Sequence, residues 1–180
     1  MRQAKNSDIS YILSLGKKEF KSIGFIPRMA YEGAINGVKI GKGWQITCNA
    51  KLFVITENGD PVGFCLSSFG RPKANIRKGN ITQICLQEDA RLIKRGRALL
   101  HHVIKYGETL GVADWSCGCA DDLISNFFWQ SMGWVQVGQR KGKDFRTQKA
   151  TSKRAINIYM HSRDDFFITQ TKTKGGQQCK

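Results

Sequence analysis

Hydrophobic positions along the chain follow two periods. Ile9, Ile12, Leu13, Leu15 and Phe20 recur at near-helical spacing behind the polar cluster Asn6-Ser7-Asp8, whose side-chain oxygens suit an N-cap. A helix is predicted from this cluster to Gly24. Pro27 fits the first turn of a second helix that carries Met29, Ala30, Ala34 and Ile35 and stops at Asn36-Gly37. The period then shortens. Leu52–Ile55 and Val62–Leu66 flank Glu57-Asn58-Gly59-Asp60, which predicts a β-hairpin over 51–69. A basic loop is expected over 70–79, then a strand over Ile81–Leu86. A charged turn leads to a helix over 96–110 with a core face of Leu99, Leu100, Val103, Ile104 and Tyr106, closed by Gly111. Next come a strand over 113–119, a helix over Asp121–Met132, a strand over 133–137, a basic loop over 140–152 and a strand over 155–159. The order β-α-α-β-β-β-α-β-α-β-β, with no internal repeat, predicts one α/β domain over residues 1–162. Residues 163–180 have little to bury and read as a basic, disordered tail.

Composition adds limits. A chain of 180 residues that is 41% hydrophobic can build one real core. No apolar run nears the roughly 18 residues of a membrane span. The opening MRQAKNSDIS has no apolar stretch of the secretory kind, so a cytoplasmic location is expected. Charge is the outlier: 29 Lys+Arg against 14 Asp+Glu give +15 at pH 7. Such a field draws in anions, whether nucleic acid, phosphorylated cofactors, acidic proteins or anionic lipid. The cations cluster at Arg71, Lys73, Arg77 and Lys78, at Arg91, Lys94, Arg95 and Arg97, and along 140–180. Of the six cysteines, Cys65, Cys85, Cys117 and Cys119 sit in strand-like segments and read as small hydrophobes. Cys117-Gly-Cys119 lacks zinc-ribbon spacing, so no metal is expected.

The most informative stretch runs from Leu86 through Gln87-Glu88-Asp89-Ala90-Arg91-Leu92-Ile93-Lys94-Arg95-Gly96 to Arg97-Ala98-Leu99-Leu100. A buried strand enters a basic turn that opens a helix. That arrangement aims backbone N–H groups and the positive end of a helix dipole at one point, where a pyrophosphate fits. An ordinary strand–helix connection with solvated charges is the alternative.

This stretch resembles the pyrophosphate signature of the GNAT superfamily, the acetyl-CoA-dependent N-acetyltransferases. That signature is an aliphatic strand end, four residues, then [Q/R]-x-x-G-x-[G/A], often extended by R-A-L-L. Leu86, Arg91, Gly96 and Arg97–Leu100 match it, and Lys94 replaces the first glycine. Met1–Ile9 resembles the family's opening. Asp121–Trp134 resembles its late helix and following strand, closest to a subgroup written A-N-x-F-W-x-x-x-G-F. Arg154-Ala155-Ile156-Asn157-Ile158-Tyr159 matches that subgroup's last strand, so the likeness covers roughly residues 1–160.

The resemblance implies a mixed, mostly antiparallel sheet with helices on both faces and a splayed parallel pair, here strands 81–86 and 113–119, holding the pantetheine arm. It implies acetyl-CoA as cosubstrate. Cofactor contacts would come from Ile84, Cys85, Leu86, Arg91, Leu92, Lys94, Arg95, Gly96, Arg97, Ala98, Asn126 and Trp129. Lys94 either swings outward and pairs with a phosphate, or leaves the loop binding CoA weakly. Asn126 could instead serve helix packing, and Trp129 could pack under the cofactor. Trp129 stands where many family members carry a tyrosine near the departing sulfur, and an indole is not a useful acid. Cys119, Ser125 and Tyr159 are the stand-ins. Glu88 is the first candidate for general base, ahead of Glu19 and Glu32.

The expected function is acetyl transfer to an amine on a macromolecular acceptor, acidic or associated with nucleic acid. DNA, tRNA or a ribosomal acceptor would be held through the basic loops 71–78 and 140–154. A homodimer is compatible with the family, and no membrane partner is expected. Two alternatives are a nucleobase-modifying protein of the phage Mom type and a non-catalytic GNAT-like binding module.

Overall fold

The computed structural model describes residues 1–37, 50–70, 77–91, 94–142 and 154–162. Its backbone falls into two compact units, Met1–Val112 and Ala113–Lys180.

The first unit holds strands β1 (Arg2–Gln3), β2 (Ala50–Glu57), β3 (Asp60–Phe69) and β4 (Arg77–Leu86). They lie side by side in chain order, each antiparallel to the next. Helices α1 (Ile9–Lys18), α2 (Phe20–Ile23) and α3 (Arg28–Asn36) precede β2, and α4 (Arg95–Thr109) follows β4. The sheet is covered on both faces. Ile12, Leu15, Ile26, Ala30, Tyr31 and Ala34 pack with Leu52, Val54, Phe64, Leu66 and Cys85 in one cluster. On the other side Tyr106 of α4 meets Phe53 and Phe69 edge-on, and Leu99, Leu100 and Val103 of α4 are fully buried.

The predicted hairpin is present. Asn58 and Gly59 have φ of 50° and 93°, and Glu57 pairs with Asp60, as a two-residue turn with two left-handed positions requires. The first helix differs from expectation. Asn6–Asp8 forms a 3-10 turn, and the Asp8 carboxylate accepts from the Lys5 N–H at 2.7 Å and from Arg2 at 2.7 and 2.9 Å. The Arg2 contact is the main cause holding the Asp8 carboxyl below its ordinary range. The helix also breaks at Glu19, which turns its carboxylate inward (below), and α2 ends at Gly24 with φ of 74°. Among the described residues β4 starts four positions earlier than expected, taking Arg77 and Lys78 into the strand; residues 71–76 of the basic loop lie outside the described residues.

Gly63 of β3 faces Leu86 of β4. A Cβ at 63 would stand 2.5 Å from Leu86 Cδ2 and 2.7 Å from the Cys85 carbonyl oxygen. The leucine could rotate, but the carbonyl could not move without parting the strands. Gly63→Ala is therefore expected to cost about 2 kcal/mol, the range for overpacking a filled interior. Chemical denaturation reads that loss directly; an unchanged midpoint would mean the strands yield freely here.

The second unit contains β5 (Val112–Ala120) from its second residue on, α5 (Ser125–Ser131), β6 (Val135–Lys141) and β7 (Ala155–Ser162). β7 pairs antiparallel with both β5 and β6. Trp115, Cys117, Cys119, Trp129, Trp134 and Tyr159 are buried here. Trp134 stacks on His161, with ring centroids 5.6 Å apart, and tilts against Trp129 at 4.8 Å. α5 begins at Ser125 rather than Asp121, for a reason that lies in Asn126. Its Nδ2 donates to the carbonyls of Ala120, Asp121 and Leu123 at 2.8, 3.2 and 2.7 Å. Those bonds hold the segment as a turn by taking carbonyls that a longer helix would use. The basic segment 143–153 and the tail 163–180 lie outside the described residues.

Candidate active site

The end of β4 is tightly committed. Cys85 and Leu86 are buried and Ile84 is half-buried. Burial drives the Cys85 thiol up to about 12, so it stays protonated. Gln87 N–H bonds Val62 O at 3.0 Å, and its side-chain carbonyl accepts the Tyr11 hydroxyl at 2.8 Å. A 3-10 turn, Glu88–Ala90, follows, and the Arg91 N–H closes it on Glu88 O at 3.2 Å. Glu88 itself is an open surface carboxylate, 80% exposed, with Lys18 Nζ at 4.0 Å.

The four cations of this segment do not share one role. Arg91 donates Nε to Leu86 O at 3.1 Å and pairs through Nη2 with Glu19 at 2.8 Å. Arg95 pairs with Glu57 at the end of β2. Lys94 and Arg97 are exposed, and among the described residues no carboxylate is seen paired with either.

Lys94 answers the glycine question. It sits at the N-terminal boundary of α4 with φ of 54° and ψ of 6°, in the left-handed region. The backbone thus makes the turn a glycine would make, with a lysine side chain carried outward. A left-handed L-residue costs about 1–2 kcal/mol. Lys94→Gly is accordingly expected to stabilise the protein by about 1 kcal/mol after glycine's greater unfolded entropy is counted. A thermal midpoint raised by roughly 2–4 °C is the check; a lower midpoint would contradict the strain.

The first amide–carbonyl bond inside α4 is Ala98 N–H to Lys94 O at 3.0 Å. Helix geometry therefore turns the amides of Arg95, Gly96 and Arg97 out of the helix end. Gly96 is buried and Ala98 half-buried. Of the amides 91 to 98, Arg91 and Ala98 are bonded within the chain, and Leu92 and Ile93 lie outside the described residues. What is in place is a three-amide row at the positive end of a fifteen-residue helix, flanked by Lys94 and Arg97. A diphosphate fits that donor set.

The remaining candidates lie in the second unit. Cys119 Sγ is 3.2 Å from Ser125 Oγ. Burial raises the thiol, and hydrogen bonds from Ser125 and Trp129 draw it partly back. Asn126 is fully occupied: besides its three donations, its Oδ1 accepts Asn157 Nδ2 at 3.0 Å and the Tyr159 hydroxyl at 2.9 Å. Tyr159 is completely buried, and its proton is already directed at Asn126. Asn157 Oδ1 in turn accepts from Gln136 and Gln139 at 3.2 and 3.0 Å.

Sequence reasoning missed Gln83. Buried on β4, it accepts the Tyr31 hydroxyl at 2.7 Å and donates to the carbonyls of Ile23 and Gly24 at 3.0 and 3.1 Å. The signal was available: Gln83 falls in the inward phase of Ile81, Gln83 and Cys85.

Residues 23–134 match the sequence profile of the Acetyltransferase (GNAT) family. The chain belongs to that family of acetyltransferases, for which acetyl-CoA is the cosubstrate. Solved structures share the fold at low identity. The ribosomal-protein-S18-alanine N-acetyltransferase of Escherichia coli is 15% identical with a TM-score of 0.62, over 89% of this chain and 90% of that one. Arabidopsis thaliana NAA60 in complex with acetyl-CoA is 12% identical with a TM-score of 0.69, over 91% and 97%. Arabidopsis thaliana Naa50 with the bisubstrate analogue CoA-Ac-MVNAL is 13% identical with a TM-score of 0.66, over 89% and 95%. The mixed α/β fold expected from sequence is this fold. No curated protein sequence matches the chain. Among the described residues no helix is long and apolar enough to cross a membrane.

Proposed function

We propose that this acetyltransferase acts in the cytoplasm on an amine of a macromolecular acceptor that is acidic or bound to nucleic acid. The observation carrying this reading is the start of α4 at Arg95–Arg97, with Lys94 and Arg97 exposed there, in a chain of net charge +15. That field attracts phosphate-bearing or acidic surroundings and repels small cationic amines. The cations that the sequence clusters over 71–78 and 140–154 add to that charge and suit DNA, tRNA or ribosomal acceptors. The neighbours named for a ribosomal-protein alanine and for an MVNAL conjugate support a polypeptide amine.

When bound, acetyl-CoA supplies an acetyl group activated as a thioester. Lys94, the Arg95–Arg97 amides and Arg97 would hold its diphosphate. Cys119, whose thiol burial raises and whose sulfur lies 3.2 Å from Ser125 Oγ, would serve as the acid of the reaction. Tyr159 acts through Asn126 as a positioning residue. Glu88, open to solvent, accepts the ammonium proton of an arriving acceptor.

Calorimetric titration with acetyl-CoA, followed by labelled acetyl transfer to pooled tRNA, DNA and cell proteins, tests the reading. Binding with label in the protein or tRNA fraction supports it. Absence of binding at millimolar acetyl-CoA removes it and favours a binding module. Modified nucleosides in DNA of expressing cells, with no acetylated product, would replace it with base modification.

A further inference from the structure

β7 carries its polarity inside out. Its side chains alternate across the sheet, and Asn157, Tyr159 and His161 are buried. Asn157 and Tyr159 bond Asn126 of α5, and His161 stacks on Trp134. The opposite phase, away from α5, is Ile156, Ile158 and Met160, all partly exposed. An antiparallel sheet that leaves one face to water ordinarily shows polar residues there. Here that face is apolar, and it is not flat. Ile158 stands between two glycines, paired with Gly118 of β5 on one side and Gly138 of β6 on the other. Neither has a side chain, so a trough follows each flank of the isoleucine. A Cβ at 118 would meet Ile156 Cγ2 at 3.1 Å and Arg140 Nη2 at 3.8 Å. Arg140 therefore reaches from β6 across β7 and lays its guanidinium at the trough beside Gly118. Arg140 is exposed, and among the described residues no carboxylate pairs with it.

We propose that this face of the second unit binds an extended polypeptide segment that presents apolar side chains and a carboxylate on one side. The apolar side chains rest on Ile156, Ile158 and Met160, and the carboxylate takes the guanidinium fork of Arg140 as a bidentate pair. Charge complementarity selects this occupant: the exposed cation on an apolar floor lacks an anion. A nucleic acid needs cations spaced along a backbone track, or rings on which bases stack. The phase of Ile158 offers one guanidinium and no aromatic ring. The inference deepens the acceptor reading above, and rests on it for the bound segment being the acceptor. Within that reading it takes an acidic polypeptide over DNA or tRNA.

Methyl NMR titration of the full chain, without acetyl-CoA, tests the surface with three probes. The first is an N-terminally blocked peptide in which valine, valine and glutamate alternate with serines. The second has glutamine for the glutamate, and the third is a single-stranded oligothymidylate of similar length. The glutamate peptide is expected to shift the methyl signals of Ile156, Ile158 and Met160, and the glutamine peptide to bind about tenfold more weakly. In Arg140→Gln the two peptides should bind alike, at the weaker level, with the thermal midpoint unchanged. Ile158→Thr should weaken both peptides together. A glutamate peptide that keeps its affinity within roughly twofold in Arg140→Gln is drawn by overall charge alone and overturns the inference. Absence of shifts at the three methyl-bearing residues also overturns it. So does oligothymidylate shifting them more strongly than the peptide, which would make the face a nucleic-acid surface. Calorimetric titration of the same preparation with acetyl-CoA keeps the two readings apart. A chain that binds acetyl-CoA and not the peptide loses this inference alone. One that binds the peptide here and not acetyl-CoA keeps the surface and loses the cofactor site.

Discussion

Asn126→Asp is expected to destabilise the second unit by about 3–5 kcal/mol, although it exchanges one atom for another of similar size. The Nδ2 group donates to three carbonyls, those of Ala120, Asp121 and Leu123, all within 3.2 Å. A carboxylate oxygen there faces three acceptors with nothing to donate. The other side-chain oxygen keeps its bonds from Asn157 and Tyr159, so the damage is confined to one half of the side chain. Such surroundings disfavour the charged acid, so its folded-state pKa must lie above the unfolded value. The sign follows: the defect is full at neutral pH and shrinks as pH falls toward the unfolded carboxyl range, where the acid protonates in both states. Denaturation followed by tryptophan fluorescence suits the test, because Trp115, Trp129 and Trp134 all lie in this unit. A midpoint equal to the parent's at pH 7 would show that the turn at 120–124 does not depend on Asn126. Asn126→Leu separates repulsion from lost bonding, since it removes the bonds without adding charge and its defect should not vary with pH.

Asn126 also shows where reading the sequence stops. The helix over 121–132 was legible from its apolar positions, and its length was not, because the first turn is dismantled by one side chain binding three carbonyls. The hairpin over 50–69 was legible down to its turn, because Asn58-Gly59 dictates local backbone geometry whatever surrounds it. The same holds for α4, whose buried residues Leu99, Leu100, Val103 and Ile104 declare their period. Charge partners were not legible. Arg91 lies far along the chain from Glu19, and Arg95 from Glu57, so sequence grouped four cations of which the fold pairs two with carboxylates. Lys94 departs from the family pattern in letters, and its backbone takes the left-handed conformation that glycine adopts most readily.

That division of charge sets the largest functional effect. The double variant Lys94→Glu with Arg97→Glu is expected to weaken acetyl-CoA binding by about a hundredfold or more, the loss of two charge-assisted contacts. Its folding stability should stay within about 0.5 kcal/mol of the parent. Both residues are exposed, so their removal uncovers no core. Acids in the first turn of a helix are favoured by its dipole, which tends to raise stability while the anion site turns negative. Binding and stability therefore move apart, an outcome that a merely damaged fold cannot imitate. Arg95→Glu is the contrast. It places a second carboxylate beside Glu57, so affinity and stability should fall together. Titration with acetyl-CoA alongside thermal melting reads both quantities. If the double variant binds within roughly threefold of the parent, the diphosphate is held by other groups. The amide row of α4 would then be an ordinary helix start, and the assignment of this corner as the cofactor site would be wrong.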